Sequence, residues 1–301
     1  MYSWLAIMFD YVRKRSAFLI FMVPYVWLSA FLLVPLIVIF CISFSESLIA
    51  IPPFAPMISW VGRHVMQIKI SFDNYAFILS DPLYILSYLN SFGLAFATTL
   101  LCLVSSYPVA YGLFLLPKRT RFFCLMLLLL PFWISFLVRV YAWIGLLDAH
   151  GFLSLLLQKL GLFHSTEGVL GTPVAVLLGM VYTYLPFMIL PLYNALEKID
   201  FHLVEAASDL GAKPLAIFWK IIFPLSRRGA LAGSILVLIP VVGEFVVPEL
   251  LGGGKVLMIG QMIWNEFFYS RDWPLASALA MLMLVTLVPP IMILQRLQKK
   301  L

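Results

Sequence analysis

The sequence predicts an all-α, polytopic membrane protein with six transmembrane helices, and three observations lead there. Of its 301 residues 63% are hydrophobic and only 11% are charged, with a mean hydropathy of +1.03. A soluble domain carries about 45–50% apolar and about 25% charged residues, so a polar surface cannot cover this composition in water. The apolar residues also gather into six runs, each near the ~20 residues that cross a bilayer as a helix. Finally, lysine and arginine alternate between dense and sparse in successive connections. A soluble enzyme, a disordered chain and a secreted disulfide scaffold are excluded at this step.

The six runs are residues 17–41, 91–116, 122–147, 174–196, 229–250 and 275–295. Arg13-Lys14-Arg15 before the first resembles the basic start of a signal peptide. The run that follows is too long for such a leader and no small-x-small cleavage site closes it, so it reads as a retained span. Upstream, Trp4, Leu5, Met8, Phe9 and Val12 share one helical face, as in a helix lying in the membrane interface. Between the first two spans lies a segment of about fifty residues, 42–90, with Pro52-Pro53, Pro56 and an amphipathic stretch around Tyr75–Leu89. That is too long for a plain connector, and it is expected to fold over the outer mouth.

Positive charge orients the spans. The N-terminal segment carries three Lys or Arg, residues 117–121 three, 197–228 five and the C-terminal tail three, which makes 14. The alternate connections hold Arg63 and Lys69, Lys159, and Lys255 and Arg271, which makes five, and Arg139 inside a span completes the 20. Both termini are therefore expected in the cytoplasm. The net charge of +6 is an orientation signal, so nucleic acid is not an expected partner.

Enzyme chemistry finds no support. His64, His150, His164 and His202 share no helix face and form no HExxH motif, and no GxSxG is present. Gly252-Gly253-Gly254-Lys255 lacks the earlier glycine of a phosphate loop and continues with Val256, not Ser or Thr. Cys41, Cys102 and Cys124 lie far apart in apolar runs and read as small buried hydrophobes. No cofactor is expected in this chain.

The most informative segment is 197–228, between spans four and five. Asp200 can N-cap a short helix, Gly211 can end it in a left-handed conformation, and Pro214 can open a second one. Within it stand Glu205-Ala206-Ala207, then Gly211, Ile221 and Pro224, with Phe223 where leucine is usual. This is similar to the EAA loop of ABC-importer permeases, whose pattern is EAA-x3-G-x9-I-x-L-P. The resemblance implies a type I importer fold and a coupling helix that docks on a cytosolic ATPase. Residues 89–296 resemble the family's permease domain. Residues 1–16 then form a cytoplasmic or interfacial segment, 17–88 the first span and long outer loop, and 297–301 a cytoplasmic tail.

Further stretches resemble the putrescine/spermidine permeases, and the putrescine type most. They are Pro24–Trp27, Asp81–Tyr84, Phe136–Trp143, Gly243–Gly253 and Arg271–Pro274. The resemblance implies a second homologous permease, two ATPase subunits carrying ATP and Mg, a periplasmic polyamine-binding protein, and a place in the bacterial inner membrane among its lipids. A polycation's path should offer carboxylates and aromatic faces. Trp133, Arg139, Tyr141, Trp143, Tyr184, Glu244 and Glu249 are the candidates for path or gate; the aromatic ones are equally suited to an interfacial belt. Counted along continuous helices, Arg139 and Glu244 fall at matched depth, which predicts an ion pair. Competing readings are a permease for another small organic cation, an ion-driven transporter, for which no inverted repeat is seen, and a membrane-embedded enzyme.

Overall fold

The computed structural model describes residues 2–61, 65–161 and 168–300; Arg63, His64 and His164 lie outside them. The chain divides into two units, Met1–Phe77 with Arg271–Met281, and Ile78–Ser270 with Leu282–Leu301.

In the first unit, helix α1 runs Tyr2–Ser43 with no break at the basic cluster, so the expected interfacial helix is continuous in backbone with the first span. The long outer segment then forms an antiparallel hairpin, β1 (Ile58–Val61) and β2 (Val65–Ile68), in which Ile58 pairs with Ile68. Helix α2 (Asp73–Ser80) follows. Phe44 at the end of α1 is packed by Phe40, Phe72 and Tyr75. The Asn74 amide donates to the carbonyls of Ser43 and Ser45, and the Tyr75 hydroxyl to Ser43 Oγ at 2.8 Å. The loop is thus pinned to the helix that precedes it.

The second unit is built on three long helices, α3 (Pro82–Leu115), α7 (Pro173–Leu196) and α10 (Phe223–Val242), each packed on the other two. Lipid is as apolar as leucine, so helices in a bilayer associate through close backbone approach and interhelical polar contacts. Along α3 the buried positions Ser87, Ser91, Ala95, Thr98, Cys102, Ser106 and Ala110 form a stripe of small residues. Cys102 is fully buried in it, with Sγ 3.7 Å from the Val181 carbonyl, while Cys41 and Cys124 are half-buried. On α10, Gly229 and Gly233 face α7 so closely that a Cβ on the first would lie 2.5 Å from the Ala195 Cβ. Only glycine admits that approach.

The remaining elements of this unit carry the departures from the sequence reading. Span three is not one helix: α4 (Lys118–Leu129) passes through a 3-10 turn, Leu130–Trp133, into α5 (Phe136–Leu147), a bend of 92°. Pro131, which lacks an amide hydrogen and whose ring crowds the preceding turn, stands at this bend. Among the described residues five helices are long and apolar enough to cross a membrane, six if this bent pair makes one span. Span five also breaks: α10 ends at Val242, and after Gly243, Glu244 and Phe245 a short α11 (Val246–Leu251) begins. Span two starts earlier than expected, at Pro82, where Asp81 caps the helix by accepting the Leu83 amide. Helix α6 (Phe152–Lys159) follows α5, α8 (Phe201–Asp209) and α9 (Pro214–Ile217) lie in the 197–228 loop, α12 (Ile259–Phe268) follows α11, and α13 (Trp273–Lys300) closes the chain.

Candidate functional site

Two places gather the residues singled out in the sequence. The first is the 197–228 loop. Asp200 accepts the His202 amide at 3.1 Å and starts α8. At the other end Gly211 has φ +80°, its amide donates to the Ser208 carbonyl, and the Ala212 amide reaches back to the Ala207 carbonyl. That pair of bonds is a Schellman ending, and it needs a residue at ease in the left-handed region. Pro214 then occupies the first turn of α9, and a π-helical turn, Phe218–Ile222, carries Ile221 into α10, where Pro224 sits in the first turn.

The faces of α8 divide cleanly. Val204 is buried and Ala207 half-buried against a cluster that includes Leu113, Leu192, Leu196 and Ile217. Glu205 and Ala206 are exposed, and Glu205 Oε2 lies 3.0 Å from His202 Nδ1 on the same outer face. Leu210 is 89% exposed beside them, and Leu203 and Leu215 are exposed as well. The short helix is thus anchored on one side by apolar contacts and presents Glu205, Ala206 and bare leucines on the other.

The second place is the break between α10 and α11. Glu244 is buried, and neutral donors hold its carboxylate. Oε1 accepts the amides of Phe245 at 3.2 Å and Val246 at 3.0 Å, and Oε2 accepts the Tyr184 hydroxyl. Gly260, at the start of α12, approaches the break so closely that a Cβ there would strike the carbonyls of Gly243 and Glu244. Phe245 stacks on Trp264 at 4.6 Å and 11°, and Trp264 leans on Phe268 at 4.1 Å. Glu249 is exposed and accepts from the Gln261 amide, whose own buried Oε1 has no partner among the described residues.

The expected ion pair between Arg139 and Glu244 does not form. The Arg139 guanidinium lies over Phe132 and Phe136, 5.3 and 5.6 Å from their ring centres. Phe132 meets Phe187 edge-on at 5.3 Å, and Phe187 meets Tyr184 at 6.2 Å, so the contacts that lead from the arginine to the carboxylate pass through three rings. Matched depth presumed unbroken helices, and both helices are broken. Trp133 ends the 3-10 turn 86% exposed, Tyr141 is exposed on α5, and Trp143 packs edge-on against Tyr182. Of the residues read as a path, Tyr184 and Glu244 are in direct contact. Phe187, Phe245, Trp264 and Phe268 escaped the sequence reading. Trp264 and Phe268 lie four apart and so share a helix face, but 259–268 falls outside every apolar run.

Residues 109–301 match the family described as binding-protein-dependent transport system inner membrane component. The chain is 38% identical over 254 residues to the spermidine/putrescine transport system permease protein PotB of Haemophilus influenzae, covering 84% of each. With PotB of Escherichia coli it shares 43% over 213 residues, 71% of this chain and 77% of that one. Among solved structures, a chain of the bacterial alginate ABC transporter in complex with its alginate-bound periplasmic protein aligns with a TM-score of 0.70 at 15% identity, over 97% of this chain and 96% of that one. At that identity the likeness shows a shared fold. The match to the family over most of the chain and the identity to its relatives make this chain a member of the inner membrane components of binding-protein-dependent transport systems, the multi-pass permeases of ABC importers, in the branch of the spermidine/putrescine permeases.

Proposed function

We propose that this chain is a permease subunit of an ATP-driven importer that carries polyamines into the cytoplasm, putrescine first and spermidine next. The observation that carries the reading is Glu244: a buried carboxylate in a membrane protein, held by a tyrosine and two amides, with no ion-pair partner among the described residues. An intramembrane carboxylate is costly and is retained where it meets a charge in transit. A substrate ammonium supplies the missing positive charge, and the rings of Tyr184, Phe187 and Phe245 suit its methylene chain and its cationic ends. Putrescine has two ammonium groups to set against Glu244 and Glu249. Arg139, apart from Glu244, repels a cation from the α5 side whatever the state of the carboxylate.

The same reading places α8 at the cytoplasmic face as the coupling helix, with Glu205, Ala206, Ala207 and Gly211 forming and positioning its docking surface for an ATPase subunit. Pro224 fixes the return into α10. A second permease, a second ATPase subunit and an external polyamine-binding protein complete the assembly. The test is uptake of labelled putrescine by the full complex in proteoliposomes, with spermidine and other organic cations as competitors. Glu244→Gln is expected to lower uptake by about tenfold or more at equal complex, the scale of losing one partner of a buried charged contact. Undiminished uptake would remove Glu244 from the path, and failure of either polyamine to be carried or to compete would overturn the substrate.

A further inference from the structure

We infer that Arg121 is a positioning residue for coupling, a clamp that ties the entry to α8 to the end of α3. Arg121 stands in the first turn of α4, beside Lys118 and Arg119, and in the sequence all three count alike toward orientation. The structure separates them. Lys118 and Arg119 are exposed, whereas the Arg121 side chain is only 18% exposed. Its Nη2 donates to the carbonyls of Phe114 at 2.8 Å and Leu116 at 3.0 Å, the last of α3. Its Nη1 donates to Glu197 Oε1 at 3.3 Å and the Tyr193 hydroxyl at 3.4 Å, and its Cζ lies 6.0 Å from the Tyr193 ring centre.

One guanidinium therefore spans two helix C-termini. Helix ends leave carbonyls without intrahelical donors and carry partial negative charge, so a half-buried cation between the ends of α3 and α7 stabilises both. Only a planar fork with several donors serves carbonyls on one side and a carboxylate on the other. Glu197 is the C-cap of α7, and Asp200 three residues on is the N-cap of α8. Beyond this clamp, α8 rests on the core through Val204 and Ala207, apolar contacts that resist separation more than sliding. With α7 locked to α3 at this point, a push on α8 moves the packed helices; without it, residues 197–200 flex and absorb the push. The inference rests on the reading of α8 as the coupling helix.

The test measures putrescine uptake and ATP hydrolysis on the same proteoliposomes holding the full complex, so that the readout is substrate carried per ATP hydrolysed. Arg121→Gln is expected to lower that ratio on the order of fivefold or more, the size of a site-to-site coupling, while hydrolysis falls by less than about twofold. Arg121→Lys, which keeps the charge and loses the fork, should fall between. Glu197→Gln, which leaves both carbonyl bonds in place, should have the smallest effect. If Arg121→Gln reduces the amount of complex, the graded order of the other two variants gives the reading. Uptake and hydrolysis falling in parallel in all three variants would make Arg121 a purely structural residue and overturn the clamp. Ala206→Trp, on the exposed face of α8, separates the two ideas. If it uncouples while the Arg121 variants keep a normal ratio, the clamp alone fails; if it leaves the ratio unchanged, the coupling-helix reading fails and the clamp with it.

Discussion

The 197–228 loop and the α10–α11 break are both interruptions of helical structure that carry residues proposed to act in transport, but they are made in different ways. In the loop every bond that shapes α8 is local: Asp200 to His202, Gly211 to Ser208, Ala212 to Ala207. At the break two local amides, those of Phe245 and Val246, are joined by distant contacts, Tyr184 to Glu244 across 60 positions and Gly260 against Gly243. The loop exposes its charge, Glu205, and the break buries its own, Glu244. On the proposed reading a docking surface need only be presented, so local caps can shape its helix while distant groups, Arg121 among them, hold it in place. A charge-binding site in a bilayer must be held dry and satisfied, which takes several elements at once.

This contrast can be broken at its local end most severely. Gly211→Val places a β-branched residue at φ +80°, a conformation that costs non-glycine residues about 1–2 kcal/mol and branched ones more. The expected outcome is a misdirected α8, with transport lost and membrane insertion retained. The measurement is substrate-stimulated ATP hydrolysis in the assembled complex; normal stimulation would show that α8 is not aimed by its glycine.

At the distant end the effect is graded. Tyr184→Phe removes one of three donors to Glu244 and leaves the amides of Phe245 and Val246 in place. A hydrogen bond to a charged group contributes about 1.5–3 kcal/mol, so the carboxylate should become easier for a substrate ammonium to claim and harder to keep in position. The expected outcome is a change in the concentration for half-maximal uptake, with a smaller loss of maximal rate than in Glu244→Gln. Identical kinetics for Tyr184→Phe and the unaltered chain would leave the tyrosine as mere packing.

The smallest effect sharpens the comparison most. Arg139 and Glu244 share no direct partner, so Arg139→Gln and Glu244→Gln should add to within about 0.5 kcal/mol in a double-mutant cycle on uptake. A coupling well above that would restore the ion pair that the broken helices exclude.

Much of this was legible in the sequence. Asp200, Gly211 and Pro214 announce α8 and α9 because caps, left-handed glycines and first-turn prolines act within four residues of themselves. The signals for the breaks were present but ambiguous. Pro131 stands at the α4–α5 bend, yet Pro108, Pro186 and Pro240 lie inside helices that continue, so a proline in a span does not by itself say which will yield.

What the sequence determined on its own rests on composition and local rules: a membrane chain with enough apolar length for six spans, its charge asymmetry, and a capped helix in its longest basic loop. What only the tertiary structure decided is which charge meets which group. Arg139 meets aromatic faces and not Glu244, Glu244 meets Tyr184, and Arg121, one of three neighbouring basic residues, is turned inward between two helix ends. The physical reason is that a buried charge answers to whatever donors, acceptors and rings the packed helices bring within hydrogen-bond or contact range. Tyr184 for Glu244 and Glu197 for Arg121 come from positions 60 and 76 residues away, which no local periodicity encodes, whereas the rings over Arg139 lie within seven residues of it.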